Sequence, residues 1–393
     1  MKLNYFTLAA LFFIPLSGTA QSENGYQFTT VVQQKATPVK DQAVSGTCWC
    51  FATTSFIESE LLRQGKGEYD LSEMFIVRQK YLNQMADNLL RHGKGNVTQG
   101  SITASWITAF NQVGIVPEEA YTGINYDSPV HNHSELAGYV EAISAEAVKQ
   151  KKNSKQYQEL TNSLFDIYFG KVPETFTYKG KEYTPTSFAE SLGIDTDDYI
   201  PLTSFTHKPY YKPFEVEIPD NWEHSQMYNL PLDELINVMD GALKSGYTLC
   251  WDGDVSEKGF AYLNGVAINP DVKSDDLYKD SDRAHWGQLN DTERLAEVFR
   301  FEHPYPEVKV TPEIRQQGYE SGKTTDDHLM HITGIATDQN GTKYYITKNS
   351  WAADSNDFGG YLNMSESYVR AKTIYILVHK DALPKTLKEK LGI

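Results

Sequence analysis

The sequence predicts an α+β protein, helical in its first part and strand-rich in its last. Two observations carry that reading. From Cys48 onward the apolar residues Phe51, Phe56, Ile57, Leu61 and Leu62 recur near the 3.6-residue helical period, behind the non-helical lead-in Ser45-Gly46-Thr47. Far downstream, residues 331–336 and 343–347 are short β-rich runs separated by Asp338-Gln-Asn-Gly341, a hairpin signal of Asn-Gly type. Between these ends the pattern places helices at 48–64, at 72–90 behind Asp70-Leu-Ser72, and at 101–113. The middle is mixed. Residues 137–169 read helical, 170–229 are rich in Tyr, Phe, Pro and Thr with a candidate strand at Thr175-Phe-Thr-Tyr178, and helical patterning returns at about 231–245. No internal repeat, low-complexity run or Pro/Gly-rich linker divides the sequence, so one compact unit is expected.

Composition narrows the function classes. The 393 residues are 40% apolar and 22% charged, enough for one sizeable core or two, and the formal charge of −16 argues against nucleic acid as a partner. Lys2, an apolar stretch from about Tyr5 to Leu16, and Ser17-Gly-Thr-Ala20 have the tripartite form of a secretory signal. Removal of residues 1–20 would leave a mature domain of 21–393, periplasmic or secreted. The apolar stretch is too short for a comfortable membrane span, so no anchor is expected. The only cysteines are Cys48, Cys50 and Cys250, which implies no disulfide framework. Cys50 and Cys250 lie in apolar contexts and are expected as reduced core thiols. Cys48 and Cys50 make a weak metal or redox pair, because residues i and i+2 point to different helix faces.

The chemistry gathers at the two ends of the sequence. Cys48 opens a helix, where backbone N–H groups carry partial positive charge and favour a thiolate, so its pKa is expected below the free value of about 8.5. Gln42, six residues earlier, can supply a side-chain amide to an oxyanion while the Cys48 backbone N–H supplies a second donor. A buried cysteine at a helix start is more often a small core residue, and for this segment alone the two readings balance. Thr324-Thr-Asp-Asp-His328-Leu-Met-His331 and Lys343-Tyr-Tyr-Ile-Thr-Lys-Asn349-Ser-Trp351 then supply a base and an orienter. If the two runs pair as an antiparallel hairpin, His328 at the start of one strand meets Asn349 at the end of the other. The Asn amide would fix the imidazole tautomer while the ring faces Cys48, and Trp351 would shield that bond from water.

Gln42, Cys48-Trp49, His328 and Asn349-Ser-Trp351, in that order, resemble the papain family of cysteine peptidases. The words around His328 and Asn349, with Gly360-Tyr-Leu-Asn-Met364, look most like the bleomycin hydrolase and aminopeptidase C branch. Val113-Gly-Ile-Val-Pro117-Glu-Glu-Ala-Tyr121 and the run from Leu243 to Val255 agree. The resemblance covers blocks at about 35–125, 230–265 and 320–380. It implies a two-lobed papain-like fold, with a helical lobe mainly at 40–125 and a β lobe mainly at 245–262 and 325–380. Insertions would fall at about 137–230 and 265–320, and the active site in the cleft between the lobes. It implies a thiol aminopeptidase acting on peptides, a carboxyl-terminal residue, Ile393, that enters the cleft to face the substrate amino group, and a homo-oligomer, a hexamer in that branch. Gly100, in Thr98-Gln-Gly-Ser101, is the only glycine at the position of the branch's paired substrate-binding glycines. Gly100, Trp351 and Ile393 are the substrate-binding candidates. The sequence departs from the family at Thr47, at Cys50, and at Ala352, where glycine is usual. None of these changes removes a catalytic group.

Acyl transfer through a Cys48 thiolate follows, with His328 as acid and base, Asn349 as orienter and Gln42 as oxyanion donor. An endopeptidase or an acyl transferase would use the same residues, and a non-catalytic peptide-binding relic would have no need of all four. No cofactor or metal is expected. His331 falls on the opposite strand face from His328, and His131-Asn-His133 lacks a third ligand and reads as a solvated loop. Asp326 and Asp327 read as ordinary exposed loop acids. The Asn-x-Ser/Thr words at Asn96, Asn132, Asn290 and Asn340 carry no functional weight.

Overall fold

The structure, a computed structural model, describes residues 25–273, 286 and 288–393. The leader sequence at 1–20 lies outside the described residues. Three helices form the frame that the first part of the sequence predicts: α1 (Cys48–Arg63), α2 (Glu73–Leu90) and α3 (Thr103–Val113). Residues Trp49 to Leu61 of α1 are all buried, so this helix is enclosed on every side and forms the spine of the molecule. Ser72 caps α2, its hydroxyl accepting the Phe75 N–H, as the Asp70-Leu-Ser72 lead-in implies.

The two halves of the middle region join the lobes they lie beside. Helices Ser134–Gln150, Lys155–Phe169 and Pro185–Leu192 place Leu136, Val140, Phe165, Phe169, Phe188 and Leu192 in the same apolar core as Trp49, Phe56 and Trp106. Tyr199–Thr203, Pro213–Glu215 and Gln226–Asn229 extend the sheet of the other lobe. The region predicted as an insertion at 137–230 is therefore part of both cores. Tyr199–Thr203 is tied in by antiparallel pairing with Thr373–His379, Leu202 opposite Ile376.

That sheet runs in the order Pro213–Glu215, Gln226–Asn229, Tyr199–Thr203, Thr373–His379, Leu249–Gly253, His328–Thr337, Lys343–Lys348, Tyr361–Ser365, Val266–Ala267 and Phe260–Ala261, with Thr29–Gln33 also paired to His328–Thr337. The predicted hairpin is present: His331 pairs with Lys348, and Thr337 with Lys343 across the Asn-Gly turn. Helix Leu232–Lys244 covers the sheet with Leu235, Ile236, Met239 and Leu243 in a second core, which also holds Trp251, Met330 and Ile376. Leu329 belongs instead to the helical core, so alternate residues of the strand from His328 serve opposite cores. No helix among the described residues is long and apolar enough to cross a membrane.

His131 and His133, expected in a solvated loop, are buried instead. His131 meets Phe51 edge-on at 5.7 Å and His133 meets Phe169 at 5.1 Å. Neither ring nitrogen of His133 has a hydrogen-bond partner among the described residues. Burial, with help from His131 and Lys80, pushes the His133 imidazole down to about 3. The unfolded protein takes up a proton at this residue below about pH 6.5 and the folded protein does not, so His133 costs stability as pH falls below that value. The variant His133→Met is expected to gain stability relative to wild type at pH 5 over its difference at pH 8, as read from urea unfolding at the two pH values.

Candidate active site

Cys48 is the first residue of α1, and the loop before it is held from several sides. Val44 exchanges backbone hydrogen bonds with His131 and His133 at 3.0 and 2.9 Å. The Gly46 N–H donates to Gln99 Oε1 at 2.8 Å, and the buried Trp49 indole donates to the Gln99 carbonyl at 3.1 Å. Lys80, fully buried, donates to the carbonyls of Thr98 and Gln99 at 2.6 and 3.0 Å. The nucleophile loop and the Gln99-Gly100 segment thus form one rigid wall.

His328 and Asn349 stand at adjoining strand ends, as the hairpin requires. Asn349 Oδ1 accepts the Ser350 backbone N–H at 2.8 Å, which identifies it as the oxygen. His328 Nε2, 2.7 Å from the same oxygen, must therefore carry the proton, leaving the Nδ1 lone pair to act as base. Trp351 lies over the imidazole with ring centroids 4.9 Å apart, and Tyr262 braces Trp351 edge-on at 4.9 Å. Trp351 therefore shields the His–Asn bond. On the Cys48 side, the Leu329 N–H, one residue past His328, hydrogen-bonds the thiol.

Gln42 is buried, its Oε1 accepting from Ser350 Oγ at 2.7 Å and its Nε2 donating to the Ser45 carbonyl at 2.8 Å. An amide nitrogen has two hydrogens, so one remains for a ligand. The Gln42 N–H also donates to the Ser350 carbonyl at 2.8 Å, and Asp41 bridges to Trp351. These links hold Gln42 and Asn349 in one fixed relation.

The expected fall in the thiol pKa is not found. Burial pushes the half-buried Cys48 up to about 12, Asp326 and Asp220 push the same way, and the Leu329 and Trp49 N–H groups oppose them only in part. Partial charges at a helix start do not offset desolvation, so a thiolate here would need a full counter-charge. Burial also holds the resting imidazole down to about 4 against the Asn349 bond. The resting pair is thus neutral. Cys50 and Cys250 are buried and unpaired, and Cys50 donates to the Glu73 carbonyl at 3.3 Å.

The remaining candidates divide. Gly100 lies on the wall beside the nucleophile loop. Ile393 is not brought to the cleft. The tail folds as helix Lys385–Leu391, with Leu387 and Leu391 in the sheet-lobe core, Lys390 bonded to Glu234 at 3.1 Å and Lys388 paired with Asp381 at 3.5 Å. Its leucines, spaced for one helix face, find an apolar core and so do not cross to the cleft. Asp326 is not the exposed loop acid expected. It faces Asp252, which is fully buried, and Asp327 faces Asp254. The signal that would have found Asp252 was a lone carboxylate in the apolar run Leu249-Cys-Trp.

Two papain-type family models match the protein: papain family cysteine protease at residues 27–193 and a peptidase C1-like family at residues 298–392. The first match contains Gln42 and Cys48, the second His328 and Asn349. Aminopeptidase C of Streptococcus thermophilus is 23% identical, over 93% of this sequence and 85% of its own. Aminopeptidase C of Lactobacillus helveticus is 23% identical over 89% and 81%. The solved structure of PepW from Lactobacillus rhamnosis shares the fold, with a TM-score of 0.67 at 18% identity over 93% of this protein and 84% of that one. The two family matches and the aminopeptidase C relatives support a place among the papain-like cysteine peptidases, in their aminopeptidase C and bleomycin hydrolase branch. Its fold is the papain-like α+β arrangement that the sequence implies.

Ala352, where the family usually has glycine, has φ +66°. This left-handed backbone costs an L-residue roughly 1–2 kcal/mol. Ala352→Gly is therefore expected to stabilise the fold by about 0.5–1 kcal/mol, after the entropy that glycine adds to the unfolded state, raising Tm by about 1–3 °C in a thermal melt.

Proposed function

We propose that this protein is an exported cysteine aminopeptidase that hydrolyses peptide bonds through Cys48, His328, Asn349 and Gln42. The observation that carries the mechanism is the 2.7 Å bond from His328 Nε2 to Asn349 Oδ1, which leaves Nδ1 as the acceptor of the Cys48 proton. Transfer of that proton creates the thiolate and the imidazolium together, so each charge stabilises the other in a site that disfavours either alone. The thiolate attacks the scissile carbonyl. The oxyanion is met by the second Gln42 amide hydrogen and the Cys48 backbone N–H. His328 then protonates the leaving amine, and on the return step takes a proton from the water that releases the acyl group. Trp351 keeps bulk water from the His–Asn bond.

The curated relatives named aminopeptidase C support removal of single residues over internal cleavage. The leader-like residues 1–20 support export. One observation favours a second reading, an endopeptidase: helix Lys385–Leu391 is packed on the sheet lobe, so this segment does not block the cleft.

Hydrolysis of a free-amino aminoacyl fluorogenic amide beside its N-acetylated twin decides between them. The expected result is turnover of the free-amino substrate alone, abolished in Cys48→Ala. Equal or better turnover of the acetylated twin would establish the endopeptidase. In the same assay Gln42→Ala is expected to lower kcat by about 10²–10³-fold, the loss of one oxyanion donor.

A further inference from the structure

Lys80 is a lysine taken out of water without an ion pair. It lies in α2 at 0% exposure, and its ammonium donates to the carbonyls of Thr98 and Gln99 at 2.6 and 3.0 Å and to no carboxylate among the described residues. Its charge otherwise rests against two rings, 4.8 Å from the centroid of Tyr81 and 5.7 Å from that of Trp49. Burying a cation in this way is costly, and an apolar side chain of the same length would fill the space at lower cost. The ammonium therefore matters through what its hydrogen bonds hold.

They hold Gln99, which grips the nucleophile loop on both sides of Cys48. Its side-chain Oε1 accepts the Gly46 N–H at 2.8 Å, and its carbonyl, already bonded to Lys80, accepts the Trp49 indole N–H at 3.1 Å. Gly46 precedes Cys48 by two residues, and Trp49 follows it directly. The two segments touch: a Cβ built on Gly46 would lie 2.9 Å from Gln99 Cβ. Yet Gln99 stands in the irregular stretch 91–102 between α2 and α3, so no helix or sheet ladder fixes it. Among the described residues, the hydrogen bonds of Thr98 and Gln99 go to Gly46, Trp49 and Lys80. Of these three, Lys80 is the anchor outside the nucleophile loop. Without it, Gln99 would be tied only to the segment it has to hold.

We propose that Lys80 is a positioning residue for the nucleophile: through Gln99 it fixes Gly46 and Trp49, and with them the Cys48 thiol and the Cys48 backbone N–H. A charged donor suits this task, because its hydrogen bonds are shorter and stronger than those of a neutral one. Misplacing a reacting group by about 1 Å costs about 10²-fold in rate, so a loosened Gln99 is felt at Cys48 although Lys80 itself is buried. The proposal rests on the cysteine peptidase reading and adds the residue that holds its thiol in place.

The test compares wild type, Lys80→Met, Lys80→Gln, Gln99→Ala, the double variant Lys80→Met/Gln99→Ala and the control Lys149→Met, an exposed lysine of the same lobe. It reads kcat and KM on a free-amino aminoacyl fluorogenic amide, the rate of Cys48 alkylation by iodoacetamide at pH 7, and Tm. Cys50 and Cys250 are buried, so alkylation of the folded protein reports Cys48. Lys80→Met is expected to keep Tm, because methionine fills the volume without a buried charge, and to lower kcat by about 10–10²-fold with KM within about 3-fold. Lys80→Gln, too short to reach both carbonyls, is expected to show the same split. Gln99→Ala is expected to lower kcat by about 10-fold, the loss of one hydrogen bond. The double variant is expected to lose less than the product of the single losses, because both changes release the same contact. Alkylation slows in the same order, and Lys149→Met retains wild-type values.

Wild-type kcat in Lys80→Met or in Gln99→Ala overturns the proposal, as do losses that multiply in the double variant or an equal loss in Lys149→Met. Failure of both Lys80 variants to fold, or a kcat loss that follows their unfolded fraction, makes Lys80 a structural residue and also overturns it. A wild-type enzyme without Cys48-dependent turnover overturns the peptidase reading itself, while the alkylation rates still report the placement of Cys48.

Discussion

Everything in the site depends on how α1 is locked to the hairpin, and that lock is a buried polar network centred on Ser55. Its hydroxyl lies 2.8 Å from His331 Nδ1 and accepts from Lys348 Nζ at 2.7 Å. Ser55 is two helical turns beyond Cys48, His331 is three residues beyond His328, and Lys348 precedes Asn349. One hydroxyl therefore sets the register between the helix that begins at Cys48 and the two strands that lead to His328 and Asn349. The network continues through Lys348 to Thr37, whose hydroxyl donates to Glu58 at 2.5 Å, and Glu58 accepts from Lys40, which also reaches Glu73. Burial lowers Lys348 to about 8 and raises Glu73 to about 7, so each charge in this interior is kept only by its neighbours. Apolar packing alone would allow α1 to slide or rotate on the sheet; a directional buried network does not.

The same low-polarity interior explains the electrostatics of the cleft. Burial raises the Cys48 thiol and lowers the His328 imidazole, so neither ionises alone at neutral pH. In the proposed mechanism reactivity comes instead from joint ionisation, with Asn349 holding the imidazole by its Nε2–H. Asp326 and Asp220 disfavour the thiolate further.

Much of this was legible in the sequence because it is local or nearly so. The helical period after Cys48, the Ser72 cap and the Asn-Gly turn act within a few residues, and the hairpin turn carries His328 to Asn349 over only 21 positions. Gln42 and Cys48 are likewise joined by one short loop. The odd spacing of His328 and His331 placed them on opposite faces by the two-residue period of a strand.

What only the tertiary structure decided involves partners distant in sequence. Asp252 meets Asp326, Asp220 meets Gly100, and strand Tyr199–Thr203 meets Thr373–His379 because the folded sheet and its loops make them neighbours. Asp326 resembled a surface acid because the residues that bury it are tens of positions away, and His133 resembled a loop residue until Phe169 covered it. The tail's leucines fit either a cleft or a core, and the competing apolar surface of the sheet lobe settled the choice. A sequence carries the period, the caps and the turns of its elements, which determined where Cys48, His328 and Asn349 stand on them. The dielectric and charge around those groups depend on which remote segments pack beside them, so the burial of Asp252 and the direction of the thiol's pKa shift were fixed by the fold.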